Sequence, residues 1–406
     1  MRSAPKLLIQ KPISRRMIEK PCSLDAQLDY VQVSAIKHLK EYLTENGFKN
    51  VFLVTGKTSY LESGAKKTLD RLSEELGLSI TIFSDYSPNP KIFDVVKGLT
   101  IFKSTKPDVV VAIGGGSSID MAKLISIMAA QDNAQSPQNL IENPAQLEAR
   151  QIPLVAIPTT CGSGSEATHF AVIYVDGVKY SLDHPSLMPN LALVDPELIA
   201  SLPPQQIAAT GLDALSQAIE AYWSVNATLE SQKNSRLAIG LVLRNLTSAV
   251  RHHDLATITA LAKAAHIAGQ AINIAKTTAA HAVSYKLTSD YHISHGHAVA
   301  LTLPEFLVFN AGVSANDCND TQHGPDFVRA QIDELVKMLK APNVVTARLK
   351  LRKLINNCGL KTSLRELNIP QDELLEIANS VDSVRLANNP RKLSVKQLYK
   401  ILLNIY

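Results

Sequence analysis

The sequence predicts an N-terminal α/β domain built on a parallel sheet, followed by an all-α C-terminal domain, within 406 residues. Three observations carry this. Continuous apolar runs such as residues 108–113 (DVVVAI) alternate with helical patterns in the first half, as strands covered on both faces require. Glycine-rich turns end several of those runs, the punctuation of a strand passing into a helix. Beyond residue 196 the strand patterns stop and helical periodicity takes over, which places the domains at 1–196 and 197–406.

The elements follow in order. Residues 50–54 read as a strand opening onto Thr55-Gly56, and a helical stretch at 61–76 precedes a strand at 78–83. Ser87-Pro88-Asn89-Pro90 breaks the chain before a helix at 92–102. The strand at 108–113 ends in Gly114-Gly115-Gly116, and 117–130 reads as helix. Another buried strand covers 153–157. Around Asp176-Gly177 the pattern AVIYV, tight turn, VKYSL reads as a hairpin. From about residue 203 onward helices are interrupted by Pro304, 319–324, Pro342, Pro370 and Pro390.

Composition narrows the function classes. Apolar residues make up 46% and charged residues 19%, ordinary for a folded enzyme. The net charge of +4 is scattered, and no basic stripe interleaved with aromatics marks a nucleic-acid surface. No apolar run reaches the ~18–20 residues that span a bilayer. Residues 1–20 are basic but lack the apolar core of a signal peptide. Four separated cysteines (Cys22, Cys161, Cys318, Cys358) form no CxxC pair and read as reduced thiols of a cytoplasmic protein. Cys161 has no base beside it and reads as a small residue in a tight loop.

Three strand ends could meet a ligand: Thr55-Gly56-Lys57, residues 114–120 and residues 158–166. Glycine lets a backbone approach phosphate, and the N–H groups of a following helix turn attract it. The second is not the usual dinucleotide fingerprint, since Ile119 stands where its third glycine belongs. In the helical half, Asp213, Gln217 and Glu220 share one face at i, i+4 and i+7. His281, His292, His295 and His297 crowd into 17 further residues. A carboxylate, an amide oxygen and two imidazoles can hold a divalent metal, although such residues also serve as solvated or packed groups.

The segments GGGSSIDMAK, PTTCGSGSEAT, NLALVDPEL, TGLDALSQAIEAY and ISHGHAVALTLP occur in that order. Together they resemble the group III metal-dependent ("iron-containing") alcohol dehydrogenase family over roughly residues 48–310. The resemblance implies a dehydroquinate synthase-like architecture: a dinucleotide-binding domain and a helical domain with a catalytic Fe²⁺ or Zn²⁺ between them. It places the metal on Asp213, Gln217, His281 and His295. Gln217 departs from the family, which usually has histidine there, and Tyr285 stands where another histidine is common. By the same resemblance Gly115, Gly116 and Ser117 hold the cofactor pyrophosphate, with Gly56 at the neighbouring strand end. Thr159, Thr160 and Ser163 line the nicotinamide and ribose, with Asp120 nearby. Ser84 occupies the family's usual aspartate position, so NADPH is accepted alongside NADH.

The implied reaction reduces a small aldehyde to a primary alcohol, with His297 and Tyr285 as candidate proton carriers. Within the family the motifs look closest to the branch that reduces phosphonoacetaldehyde in phosphonate biosynthesis, which implies an anionic substrate. Lys179, Lys276, Lys286, His184 and His297 lie near the motifs and are candidates for contacting the anion. Two other readings remain: a general short-chain alcohol or diol dehydrogenase, and a non-redox sugar-phosphate lyase or nucleotide-binding relative. The resemblance is also compatible with a homodimer.

Overall fold

The computed structural model describes residues 27–131 and 136–406. Cys22 and the basic segment 1–20 lie outside them. Among the described residues lie eight strands: β1 (Leu28–Val31), β2 (Asn50–Thr55), β3 (Ser79–Phe83), β4 (Val109–Gly114), β5 (Leu154–Pro158), β6 (Phe170–Val175), β7 (Val178–Asp183) and β8 (Leu191–Val194). Between them lie α1 (His38–Glu45), α2 (Lys57–Glu62), α3 (Ala65–Leu76), α4 (Ile92–Thr105), α5 (Gly116–Met128) and α6 (Pro137–Glu142).

Six strands form one all-parallel sheet in the order β1-β8-β5-β4-β2-β3. The apolar run of β4 is buried along its whole length because both faces are covered. Val109, Val111 and Ile113 join the core under α1 and α3, while Val110 and Ala112 join the core under α4 and α5. The chain runs outward from β2 to β3 and returns to β4 on the other side of β2. That reversal is a topological switch point, where open α/β sheets bind ligands beyond their strand ends.

The strand at the far edge, β1, escapes sequence reading. It is only LDYV, half exposed, and among the described residues pairs solely with β8. The Asp195 carboxylate fixes it there by accepting from the backbone N–H of Ser34 and of Ile36, each at 3.1 Å. The helix expected at 61–76 is broken in two by Gly64, whose φ of +79° ends α2 and starts α3.

After β8 the described chain is helical: α7 (Pro196–Ile199), α8 (Pro204–Trp223), α9 (Leu229–His252), α10 (Leu255–Ala275), α11 (Ala279–Ser289) and α12 (His295–Ala311) come first. Then follow α13 (Gly324–Met338), α14 (Val344–Asn357), α15 (Leu374–Asn379), α16 (Ser383–Leu386) and α17 (Val395–Leu403). They share one continuous core built around α8. Pro304 does not interrupt a helix as the sequence suggested. It sits inside α12, where it forfeits one backbone hydrogen bond, but a helix buried along most of its length is held by its packing. No helix among the described residues is long and apolar enough to cross a membrane.

The β6–β7 hairpin turns at Asp176-Gly177, both at positive φ, as a two-residue hairpin loop requires. Its two faces differ. Ala171, Ile173, Val175 and Leu182 pack into the sheet core. The opposite face carries Tyr174 beside Lys179 and Phe170 beside Asp183, and these line a cleft.

Candidate active site

A cavity of about 760 Å³ lies between the C-terminal edge of the sheet, the hairpin and helices α8, α10, α11 and α12. On the sheet side, the glycine turn after β4 enters α5 without any side-chain cap. A Cβ on Gly116 would lie 2.9 Å from the Ser163 Cβ, and one on Gly115 would lie 3.2 Å from the Thr160 Cγ2. Glycine lets this turn and the β5 loop approach each other, and a helix start of this kind, with no side chain over it, is open to a phosphate.

Gly116, Ser117, Asp120, Thr160 and Ser163 all line the cavity. Gly56, Ser84, Gly115 and Thr159 do not. Thr159 is buried and donates its N–H to the Gly114 carbonyl at 2.9 Å. Ser84 follows the end of β3. Its neighbour Asp85, exposed, is engaged by Lys57 and Lys97, which hold its carboxyl below the usual range.

Asp120 acts as a brace for the cavity wall: its carboxylate accepts from Ser165 Oγ at 2.5 Å and from the Val172 N–H at 3.0 Å. Burial pushes its pKa up. Below it, buried Lys123 donates to the carbonyls of Ser165, Thr168 and Phe170 at 2.6–2.9 Å. Burial lowers this lysine to about 8, although Asp120 and Glu166 oppose the fall. Cys161 is buried with its Sγ 3.3 Å from Thr210 Oγ1, and burial raises its thiol to about 11. It is a packing residue.

On the helical side, Asp213 and Gln217 stand one turn apart on α8, His281 on α11 and His295 at the first residue of α12. One ligand atom each from Asp213, His281 and His295 lies within 4.8 Å of the other two. His281 Nε2 is 3.4 Å and His295 Nε2 is 4.0 Å from Asp213 Oδ1. Asp213 Oδ1, His281 Nε2 and Gln217 Oε1 are all buried without a hydrogen-bond partner. Buried polar atoms are seldom left unpaired, so this cluster of orphans fits a divalent cation.

Gln217 donates its Nε2 to the Ser163 carbonyl at 3.2 Å, which leaves its amide oxygen as the free end. Burial pulls His295 down to about 3, so its ring is neutral and able to ligate.

Glu220 completes the support. One carboxylate oxygen accepts from Thr278 Oγ1 at 2.7 Å and from the N–H groups of Thr278, Ala280 and His281. The other engages His281 Nδ1. A hydrogen on Nδ1 held by Glu220 leaves Nε2, which faces Asp213, as the end that can take a cation. Burial disfavours charge on this ring, but Glu220 and Asp213 outweigh it and raise the pKa to about 9. The sequence placed Glu220 on the correct helix face but gave no sign of this partner.

Tyr285 also lines the cavity, its ring stacked 6.3 Å from that of His295. Arg385 of α16 donates to its hydroxyl, and Lys179 Nζ lies 3.4 Å from its ring centroid. Burial raises the Tyr285 pKa, which keeps it a phenol. Nothing in the sequence pointed to Arg385.

His297 does not reach the cavity. Two residues along a helix turn a side chain by roughly 200°, and its Nε2 lies 2.7 Å from the Lys361 carbonyl instead. Of the other suggested anion contacts, Lys276 lines the cavity but is paired with Asp183 at 2.6 Å. Lys286 is paired with Asp290 and Glu376, and His184 with Ser186.

Comparison with known proteins decides the family. Residues 30–196 match the iron-containing alcohol dehydrogenase model, and residues 207–406 match its C-terminal counterpart. The chain belongs to the iron-containing alcohol dehydrogenase family. Among curated members, phosphonoacetaldehyde reductase of Streptomyces viridochromogenes is 36% identical over 74% of this chain and 76% of its own length. NAD-dependent methanol dehydrogenase of Bacillus methanolicus is 30% identical over 91% of this chain and 96% of its own. A solved sulfoacetaldehyde reductase of Bifidobacterium kashiwanohense, in complex with NAD⁺, superposes with a TM-score of 0.82 at 28% identity. It covers 93% of this chain and 96% of that one. This iron-containing alcohol dehydrogenase is thus an alcohol/aldehyde oxidoreductase of a family that uses a nicotinamide cofactor and a divalent metal.

Proposed function

We propose that this enzyme reduces phosphonoacetaldehyde to 2-hydroxyethylphosphonate with NADPH or NADH. The observation that carries the reading is that Asp213, Gln217 and His281, each with a polar atom left unpartnered, line the same cavity as the glycine turn. The anionic substrate is supported by the phosphonoacetaldehyde and sulfoacetaldehyde reductases among its relatives, and by cationic side chains in this cavity.

When bound, the nicotinamide supplies the hydride, and an iron or zinc ion held by Asp213, Gln217, His281 and His295 supplies Lewis acidity at the carbonyl oxygen. Gly115, Gly116 and Ser117 receive the pyrophosphate, while Thr160 and Ser163 orient the ribose and nicotinamide. Glu220 keeps the His281 lone pair directed at the centre. Tyr285 holds a proton at its hydroxyl, which Arg385 positions, and passes it to the nascent alkoxide. His297 has no part in this. At the ribose end, Ser84 offers no carboxylate to repel a 2′-phosphate, and Asp85 is already occupied by Lys57 and Lys97.

The test is an aldehyde panel with NADPH and NADH, run before and after chelation and metal restoration. Preference for phosphonoacetaldehyde over propanal, abolished by chelation and restored by metal, is the expected result. Equal kcat/KM for both aldehydes would instead leave a general short-chain alcohol dehydrogenase. Ser84→Asp should move the cofactor preference toward NADH.

A further inference from the structure

The basic side chains around Tyr285 are unevenly paired. The cavity wall carries Lys276, Lys179 and Arg385. Lys276 is matched by Asp183 at 2.6 Å. Arg385 has only Asp382, at 3.8 Å. Among the ion pairs of the described residues, Lys179 has no carboxylate at all; its Nζ rests on the Tyr285 ring at 3.4 Å. The Arg385 guanidinium lies over the same ring, its Cζ 4.6 Å from the centroid, and bonds the hydroxyl. Two basic side chains share one aromatic ring, drawn from elements far apart in sequence. Burial and the Arg385 charge push the Lys179 pKa well below the usual lysine range, which a bound anion would reverse.

Cations brought together inside a protein repel each other and lose hydration, so such an arrangement persists where an anion joins them. Here Asp120 and Asp213 also line the cavity and act on Lys179, but neither forms an ion pair with it among the described residues. The ring they share stacks against His295 at 6.3 Å, so the cationic pair stands one aromatic side chain away from the Asp213, His281 and His295 atoms. The hairpin register fixes this placement: Lys179 is opposite Tyr174 on the cleft-facing side of β6–β7, and a shift of one residue would turn it into the core.

Building on the reductase reading, we propose that Lys179 and Arg385 form the subsite for the oxoanion head of a short aldehyde and set the enzyme's preference for anionic over neutral substrates. Tyr285 sits between this head subsite and the carbonyl end, which limits the substrate to a short spacer between its two functional groups. Arg385 offers a planar fork to two oxygens and Lys179 a point charge to the third, which suits a tetrahedral phosphonate or sulfonate.

The test is the ratio of kcat/KM for phosphonoacetaldehyde to that for propanal, in the metal-loaded enzyme with NADPH. Lys179→Met and Arg385→Met should each lower this ratio by about ten- to a hundredfold, the worth of one hydrogen bond to a charged group. Lys179→Arg should keep most of it. A uniform loss on both aldehydes with a raised KM for NADPH would mean that the pair holds cofactor phosphate, and overturns the proposal.

Wild-type enzyme supplies a second readout that needs no variant. Ethylphosphonate should compete against propanal, and failure to compete also overturns the subsite. A wild type that prefers sulfoacetaldehyde over phosphonoacetaldehyde removes the phosphonate reading and leaves the subsite standing. A wild type that prefers phosphonoacetaldehyde while both Met variants keep that preference removes the subsite alone.

Discussion

Glu220→Gln isolates the part of the metal centre that never touches metal. The substitution keeps shape and burial but replaces one carboxylate oxygen with an NH₂ donor. The retained oxygen can still accept from Thr278 and Ala280, now at 2.7–3.1 Å from Glu220. The new NH₂ then meets the Nδ1–H of His281, donor against donor. His281 escapes by moving its hydrogen to Nε2, the atom 3.4 Å from Asp213 Oδ1, which fills the lone pair that a cation needs. Losses from supporting residues of this kind run about 10- to 100-fold in metal affinity, or about 1.4–2.7 kcal/mol. The assay is a chelator competition at fixed pH, with bound iron and zinc measured by mass spectrometry on the folded variant. If Glu220→Gln holds metal as tightly as wild type, the carboxylate does not set the His281 tautomer and this account of the site fails.

Two more predictions rest on packing and charge. A Cβ on Gly296 would lie 2.0 Å from the Ala209 carbonyl oxygen and 2.7 Å from the Asp213 Cβ, so Gly296→Ala must push α12 away from α8. Overpacking of this kind costs about 1–3 kcal/mol or more, and the variant should show both a lower Tm and weaker metal retention; an unchanged Tm contradicts the close contact. His266 is buried, and burial disfavours its charge. Hydrogen bonds to Asp29 and Glu166 outweigh that and raise it to about 9. Its stabilising contribution is therefore complete below the unfolded-state value of about 6.5 and disappears as pH rises through about 9. The Tm difference between wild type and His266→Gln should shrink across that window, and a difference that stays constant from pH 6 to 10 would refute it.

How legible the molecule was in its sequence depended on how local each signal is. Residues 109–114 announce a strand because every side chain is apolar, and the i, i+4 spacing of Asp213 and Gln217 on α8 is a helix rule. β1 hides because four residues on an exposed sheet edge need little apolar patterning; its partner β8 supplies the order. Arg385 hides for a similar reason. It sits on a four-residue helix and meets Tyr285 only through the tertiary fold, 100 positions away. His297 was misleading because proximity in sequence to His295 is not proximity on a helix. Pro304 misled in the opposite sense, since its local preference yields to the packing of α12.

The edge strand has a kinetic side. Among the described residues β1 pairs only with β8, and one contact beside it, Gln27 to the Pro189 carbonyl, spans 162 positions. A ribosome adds about 5–20 residues per second. The nascent strand therefore waits on the order of 10–30 s as an unclaimed edge before its partner emerges. Throughout that interval its backbone donors and acceptors are open to other chains. The shortness of LDYV, with Asp29 in its second position, makes it a poor template for them. The trait that concealed β1 from sequence reading thus also guards it during synthesis.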